Sequence, residues 1–205
     1  MELIQKYFPA LEPLQSTQFE KLLEVIPLLN QQVNVISRKD VDHLEERHIL
    51  HSLAIAKQFS FGKRQTIVDA GTGGGFPGIP LAILFPEARF ILVDSIGKKI
   101  RLVDEVCTAL NLKNVKTIHE RVEKIDIRAD FVVARAVTAL PKLYSLTRKV
   151  IRSTPGKQPG GLIALKGGDL ESELGSFKAR IKIYPISEWF PEPFFSTKKI
   201  VYLKF

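Results

Sequence analysis

The chain has 205 residues, of which 45% are hydrophobic, and a formal net charge of +8 at pH 7. This length predicts one domain with an appendage, and the composition is ordinary for a protein with a sizeable core. No apolar run reaches the ~20 residues that span a bilayer, and the N-terminus has no signal-peptide pattern. The single cysteine, Cys107, excludes an internal disulfide and a cysteine-based zinc site, so we expect a cytoplasmic protein. The positive charge favours a polyanionic partner such as RNA, although basic proteins are common.

The N-terminal region is predicted to be helical. Residues 17–20 (TQFE) have the pattern of a capping box, and apolar residues follow at helical spacing. Pro27 is expected to kink or end this helix, and a second helix is expected over about residues 41–59. We therefore expect residues 1–45 to form a helical appendage packed on a main domain of residues 46–205.

The glycine-rich stretch at residues 67–80 (IVDAGTGGGFPGIP) predicts a buried strand, a tight turn and the start of a helix. Glycine permits positive φ and lets a ligand approach the backbone closely. The stretch contains a Gly-x-Gly-x-x-Gly match, which alone is weak evidence for a dinucleotide. The frame Asp69-x-Gly71-x-Gly73-x-Gly75 fits S-adenosylmethionine (AdoMet) better, because the acid at the strand end can meet a cationic or hydroxylated ligand.

Strands alternate with helices along the rest of the chain. Predicted strands lie at residues 89–94, 115–118, 130–134 and 162–165, with a closing pair near 181–186 and 199–205. A loop is expected at residues 153–161. This order predicts a doubly wound α/β fold with a mostly parallel seven-stranded sheet and a closing antiparallel pair.

Candidate ligand contacts follow several of these strands, because ligands of open α/β sheets bind outside the carboxyl ends of the strands. Asp94 ends the second strand, where a carboxylate can hold a ribose diol, although NAD proteins share this acid. The loop after the third strand would meet an adenine ring, and Val122 and Glu123 are the candidates there. Glu120 remains an alternative, as does a simple charged loop.

Three basic side chains are candidates for contacts with a nucleic acid. Arg135 and Lys166 leave the ends of strands four and five at the crevice, and His48 follows Arg47 on the second helix. A surface ion pair is the plain alternative for Arg135, and a solvated helix face is the plain alternative for His48. His43, His48 and His51 could also suggest a metal, but no cysteine is near, and we expect no metal site. For Phe190, Phe194 and Phe195, packing is favoured over base stacking.

The absence of three sequence motifs limits the reactions that the chain is expected to catalyse. The chain has no phosphate-binding Gly-x-x-x-x-Gly-Lys-Ser/Thr loop, no Asp/Asn-Pro-Pro-aromatic tetrapeptide after strand four, and no cysteine at a strand end. The second motif often serves the methylation of exocyclic amines, and the third serves attack on a pyrimidine ring. A ring nitrogen with a free lone pair, such as guanine N7, needs neither, because the protein has mainly to position the partners and exclude water.

Five sequence strings together closely resemble the bacterial small-subunit ribosomal RNA methyltransferase G family, once called glucose-inhibited division protein B. They are residues 69–80, 93–95 with Lys98 and Lys99, 134–137, 165–167, and 34–36 followed by 47–53. The resemblance implies a Rossmann-like class I AdoMet-dependent methyltransferase fold. It also implies N7 methylation of one guanine in the decoding-region (530) loop of 16S ribosomal RNA.

The family resemblance further implies that Gly71, Phe76, Val122, Glu123 and Arg135 contact AdoMet. We expect Arg135, His48 and Lys166 to position the RNA, with no general base and a monomeric enzyme. His51 stands where the family often has aspartate, and Val122 replaces a usual alanine. The rival functions are a non-catalytic RNA-binding or ribosome-assembly protein with the same fold and an NAD-dependent oxidoreductase.

Overall fold

A computed structural model describes residues 1–152 and 160–205, so residues 153–159 of the predicted loop lie outside the description. Seven strands form one sheet in the order β3-β2-β1-β4-β5-β7-β6. They are β1 (Thr66–Ala70), β2 (Arg89–Asp94), β3 (Val115–His119), β4 (Phe131–Arg135), β5 (Gly161–Gly167), β6 (Ile181–Pro185) and β7 (Lys198–Lys204). Strands β1 to β5 are parallel, and β7 runs antiparallel to both β5 and β6. The predicted sheet is therefore confirmed.

Helices cover both faces of this sheet. The α-helices are α1 (Glu2–Tyr7), α2 (Pro13–Val33), α3 (Arg38–Val41), α4 (His51–Leu53), α5 (Ile55–Gln58), α6 (Gly78–Leu84), α7 (Gly97–Ala109), α8 (Leu140–Thr147) and α9 (Glu171–Leu174). A π-helix covers Glu45–Leu50, and 3₁₀ turns cover Val122–Lys124, Gly175–Arg180, Ile186–Glu188 and Pro193–Phe195. No described helix is both long and apolar enough to cross a membrane.

The alternation of side chains along the strands divides the core into two layers. On β1, Ile67 belongs to the layer that packs against the N-terminal helices, α6 and α7, whereas Val68 belongs to the layer under α8. Ile4 and Phe19 of the N-terminal helices are fully buried in the first layer. The N-terminal segment therefore shares its core with the sheet.

Helix α2 differs from its prediction in two respects, namely the position of its capping box and the residue at which it ends. Its capping box joins Glu12 to Gln15, rather than lying at residues 17–20, and the helix continues through Pro27 to Val33. The missing proline N–H costs one helical hydrogen bond. Burial of Phe19, Leu22 and Ile26 along one face of α2 outweighs that cost.

The second predicted helix is broken into short segments. A short helix over Arg38–Val41 is followed by the π-helix at Glu45–Leu50 and then by α4 and α5. Single π-turns inside helices occur frequently at functional sites, because the wider turn changes the direction of the side chains. This π-turn contains Arg47 and His48. Sequence periodicity cannot reveal it, since it alters spacing by one residue only.

Packing is confirmed as the main role of the C-terminal phenylalanines. Phe190 and Phe195 are fully buried in the core. Phe194 is half-buried and lies at the edge of the same aromatic cluster, with its ring centroid 5.0 Å from that of Phe195. The side chains of Arg47 and Lys198 lie over the ring of Phe194.

Candidate functional site

The glycine turn after β1 is organised by Asp69, which is fully buried. Its Oδ2 accepts hydrogen bonds from the Thr72 hydroxyl at 2.6 Å and from the backbone N–H of Gly78 at 2.8 Å. Within the described part of the chain its Oδ1 has no hydrogen-bond partner. Burial raises the pKa of Asp69 to about 6. The structure thus places Asp69 inside the turn, rather than on a ligand-facing wall where we expected it.

A cleft of about 310 Å³, called here the main cleft, opens at the carboxyl ends of β1 and β2. Its lining residues are Ala70, Gly71, Val93, Asp94, Ser95, Glu120, Arg121, Val122, Glu123, Val137, Thr138, Lys142, Leu143 and Leu146. Four of the predicted contacts are therefore brought together there, namely Gly71, Asp94, Val122 and Glu123. Gly71 has φ +69°, and a Cβ at this position would lie 3.0 Å from Val137 Cγ2.

Asp94 joins the end of β2 to the glycine turn. Its Oδ2 accepts the backbone N–H of Gly73 at 3.0 Å, and its Oδ1 accepts that of Ile96 at 2.9 Å. An ionised carboxylate offers about four lone-pair sites, so Asp94 keeps acceptor capacity toward the cleft. Gly73 has φ +61°, and no described atom lies within 4 Å of where its Cβ would be. The backbone beside Asp94 is thus open to close approach.

Arg135 lies next to the glycine turn, over the ring of Phe76, at 5.0 Å from guanidinium carbon to ring centroid. Its Nη1 donates to the carbonyl oxygen of Arg47 at 3.2 Å, and its Nη2 lies 2.8 Å from His48 Nδ1. Burial lowers the pKa of Arg135 to about 10, which leaves it protonated at neutral pH. The aromatic ring and two acceptors therefore fix the direction of this cation.

His48 has a different role from the one expected. A guanidinium can only donate, so His48 Nδ1 accepts and the ring is neutral with its proton on Nε2. Burial, followed by the nearby charge of Arg135, lowers the pKa of His48 to about 3. The ring also packs edge-on against Phe76, with centroids 5.4 Å apart. His48 thus positions Arg135 instead of offering a positive charge to a phosphate.

Lys166 is also engaged within the protein. Its Nζ donates to the Thr138 carbonyl oxygen at 2.6 Å and to Glu173 Oε2 at 2.8 Å. The same Glu173 oxygen accepts the backbone N–H of Leu140 at 2.8 Å. Lys166 therefore ties the end of β5 to α8 and α9, instead of standing free at the crevice as we expected.

Sequence analysis missed Lys198, whose Nζ lies 4.8 Å from the centroid of Phe194. The guanidinium carbon of Arg47 lies 5.7 Å from the same ring. We call these three residues the basic shelf. Only the pairing of Gly167 with Lys198 across β5 and β7 brings Lys198 to the crevice, and that register is not visible in the sequence. Across the described ranges, no cluster of three or more His, Cys, Asp or Glu side chains is arranged to hold a metal ion.

The fold and the site together define a class of protein. A Rossmann-like sheet with this strand order, a glycine turn after β1 and an acid at the end of β2 characterises the AdoMet-dependent methyltransferase fold. A solved SAM-dependent methyltransferase from Aquifex aeolicus shares this fold, with a TM-score of 0.56, 17% identity and coverage of 82% of this chain and 98% of that chain.

Sequence comparisons define the family within this class. A family model described as rRNA small subunit methyltransferase G matches residues 15–192. Proteins named Ribosomal RNA small subunit methyltransferase G are 50% identical in Christiangramia forsetii and 52% identical in Phocaeicola vulgatus. The matches cover 99% of this chain in both cases, and 96% and 98% of the two relatives. The chain belongs to the rRNA small subunit methyltransferase G family.

Proposed function

We propose that the protein transfers a methyl group from AdoMet to N7 of a guanine in the decoding-region (530) loop of 16S ribosomal RNA. The observation that supports this most directly is a cofactor-sized cleft at the carboxyl ends of β1 and β2, with the cation Arg135 at the end of the neighbouring strand β4. Membership of a family named for ribosomal RNA of the small subunit supports the substrate class.

The residues of the main cleft fit AdoMet, which supplies an electrophilic methyl group when bound. The carboxylate of Asp94 has the acceptor capacity to hold the ribose hydroxyls. Val122 and Glu123 lie on the 3₁₀ turn after β3 and line the main cleft, where they would recognise adenine through a backbone N–H and a carboxylate. Gly71 and Gly73 allow the ligand to lie against the backbone, and Asp69 keeps their turn closed.

Arg135, held over the buried ring of Phe76, ends β4 beside the glycine turn, and the cofactor and the RNA would approach one another near it. Arg135 is a charged donor of fixed direction, suited to an anionic or carbonyl oxygen on either partner. The neutral ring of His48 and the carbonyl of Arg47 hold it in place. Lys166 would act indirectly, because its hydrogen bond to the Thr138 carbonyl holds a loop that borders the main cleft.

Methylation at N7 asks little acid–base chemistry of these residues. In such a transfer the N7–carbon bond would form as the methyl–sulfur bond of the sulfonium breaks. The neutral thioether would leave with the electron pair and the base would take the positive charge, so no proton would have to leave the base. The protein has therefore to bind, orient and exclude water, which contributes through proximity rather than proton transfer. His48 is neutral and Lys166 is hydrogen-bonded to Glu173, which agrees with a site that binds and orients its ligands without transferring a proton.

The proposed function is tested by incubating the full chain with labelled AdoMet and either 30S subunits or naked 16S ribosomal RNA. The methylated position is then mapped by chain cleavage at N7-methylguanine. We expect label at one guanine of the 530 loop. Label on an exocyclic amine or a cytosine would refute the N7 assignment. Tight AdoMet binding without transfer to either RNA would favour the non-catalytic alternative.

We further propose that the enzyme acts as a cytoplasmic monomer. One chain supplies both the main cleft and the basic shelf, so the proposed site needs no residue from a second copy. Light scattering at the concentration of the activity assay tests the monomeric state. A stable dimer that loses activity on dilution would contradict it.

A further inference from the structure

The basic shelf lies at the crevice, on the side away from the main cleft. Lys198 begins β7 and pairs with Gly167, the last residue of β5. A Cβ added to Gly167 would lie 3.2 Å from Lys198 Nζ, so the ammonium group lies against the glycine backbone. The carboxyl ends of β4 and β5, where Arg135 and Gly167 lie, are therefore flanked by the shelf.

The charges of the shelf are incompletely neutralised by the protein. In the described ranges no carboxylate lies within 4.0 Å of Lys198 Nζ, whereas the Nζ of Lys166 is paired with Glu173 at 2.8 Å. Arg47 pairs with Asp40 through Nη1 at 2.8 Å, but its side chain is one-third exposed, so the guanidinium is still accessible from outside. The shelf thus presents positive charge that an external anion could balance.

A buried histidine, His51, lies beneath the shelf and is close to its positive charges. His51 is 6% exposed and packs edge-on against Phe194, with centroids 5.5 Å apart. Burial lowers the pKa of His51 well below its ordinary value, and the positive charges of Arg135 and Lys198 lower it further. Its Nε2 has no hydrogen-bond partner in the described part of the protein. This histidine therefore adds no positive charge beneath the shelf.

We propose that Lys198 and Arg47, spaced by the ring of Phe194, bind the RNA phosphates that flank the target guanine. This inference rests on the proposed function and assigns the backbone contact within it. Phosphate contacts set the register of a protein on a nucleic acid without reading its sequence. The shelf would thus present one nucleotide to the boundary formed by Arg135 and Phe76.

The test compares Lys198→Ala with Lys204→Ala. Both variants lower the net charge by one, but Lys204 is exposed at the opposite end of β7, where it pairs with Gly161. We expect Lys198→Ala to weaken binding to naked 16S ribosomal RNA about tenfold at ~0.1 M salt, and to reduce the slope of log K against log salt by about 0.7. Lys204→Ala should leave both quantities close to the wild-type values.

Three further measurements make the result decisive. The AdoMet affinity of Lys198→Ala should be unchanged, whereas a parallel loss of AdoMet affinity would overturn the phosphate assignment. Lys198→Arg should restore RNA binding, because it retains the cation on Phe194. Wild-type protein that neither binds AdoMet nor methylates RNA would sink the proposed function. An active wild type with indistinguishable salt slopes for the two alanine variants would sink the shelf proposal alone.

Discussion

The two halves of the crevice edge carry opposite charge. The half formed by β1, β2 and the loop after β3 presents the three acids Asp94, Glu120 and Glu123 to the main cleft, against one basic residue, Arg121. The half formed by β4, β5 and β7 presents Arg135 and Lys198, together with Arg47 from the π-helix. A single mixed sheet therefore supplies mainly acceptors on one side and donors on the other.

This difference shows how one crevice can hold two unlike ligands. Carboxylates and open glycine backbone suit a small ligand rich in hydroxyl and amino groups. Uncompensated cations suit a polyanion, whose counterions are released on binding. Arg135 ends β4, which lies between β1 and β5 in the sheet, so it stands at the boundary between the two halves. Each prediction below acts on one half or on the boundary.

Replacing Arg135 with alanine should have the largest effect, because this cation ends β4, the strand that pairs with β1 of the other half. Removal of one positioned charged donor typically costs about 10²- to 10³-fold in rate, and we expect a loss of that size in methyl transfer. Arg135→Lys keeps the charge but not the planar fork that reaches both Arg47 and His48, so it should recover only part of the rate. Methylation rates near wild type for both variants would remove Arg135 from the site.

Asp69→Asn should reveal the cost of the buried carboxylate through its pH dependence. The pKa of Asp69 is about 6 in the folded protein, above its unfolded value of about 3.9. A raised folded pKa gives stability that is present below about pH 4 and lost as the pH rises through about 6. The wild type should therefore lose up to about 3 kcal/mol relative to Asp69→Asn between those limits.

Urea unfolding of wild type and Asp69→Asn at a series of pH values measures this difference directly. The other titrating groups are common to both proteins and cancel. Above about pH 7 the difference should be constant. Curves that run parallel from pH 4 to 7 would show that Asp69 titrates normally, and that the turn does not bury its charge.

Gly71→Ala should reduce AdoMet affinity about tenfold, which corresponds to ~1.4 kcal/mol. Its Cβ would crowd Val137 on the cleft wall, at 3.0 Å, in addition to the strain of φ +69°. Gly168→Ala is the matched control, because Gly168 has φ +77° with no described atom within 4 Å of its Cβ position. Isothermal titration should show a loss for Gly71→Ala alone, while both variants lose similar stability. Equal AdoMet affinities would mean that Gly71 does not face the cofactor.

The glycine turn, the alternation of strands with helices and four of the main-cleft residues could be predicted because each depends on local sequence. The turn needs glycine, the strands are apolar and alternate with helices, and Asp94 directly ends one of them. The state of a side chain depends on distant residues and could not be predicted in this way. His48 is neutral because burial and Arg135 make it so, and Lys198 reaches the crevice only through the register of β7.

Helix α2 illustrates the same limit for secondary structure. Pro27 is a reliable local signal for a helix end, yet the helix continues because its buried face packs on α6 and α7. Tertiary packing supplies more free energy than one missing hydrogen bond removes. The π-turn around Arg47 and His48 is equally invisible to helical periodicity, and it lies in the half of the crevice where the predicted roles needed most correction.

Lys166→Met should have the smallest effect, and it separates the two lysines at the crevice. Its side chain is 13% exposed, and its ammonium donates to Glu173 and to the Thr138 carbonyl, so its loss should cost about 1 kcal/mol of stability. The hydrogen bond from Lys166 lowers the pKa of Glu173, so this stability is present at neutral pH and lost as the pH falls below about 4. RNA affinity should stay within about twofold of wild type, since an engaged ammonium adds little to phosphate binding.

A double-mutant cycle of Lys166→Met with Glu173→Gln measures the pair itself. Each single variant should lose similar stability, and the double variant should lose little more than either. If Lys166→Met weakens RNA binding as much as Lys198→Ala does, the ion pair must open when RNA binds. The positive half of the crevice would then extend to β5, and the division between a structural lysine and an RNA-binding lysine would be wrong.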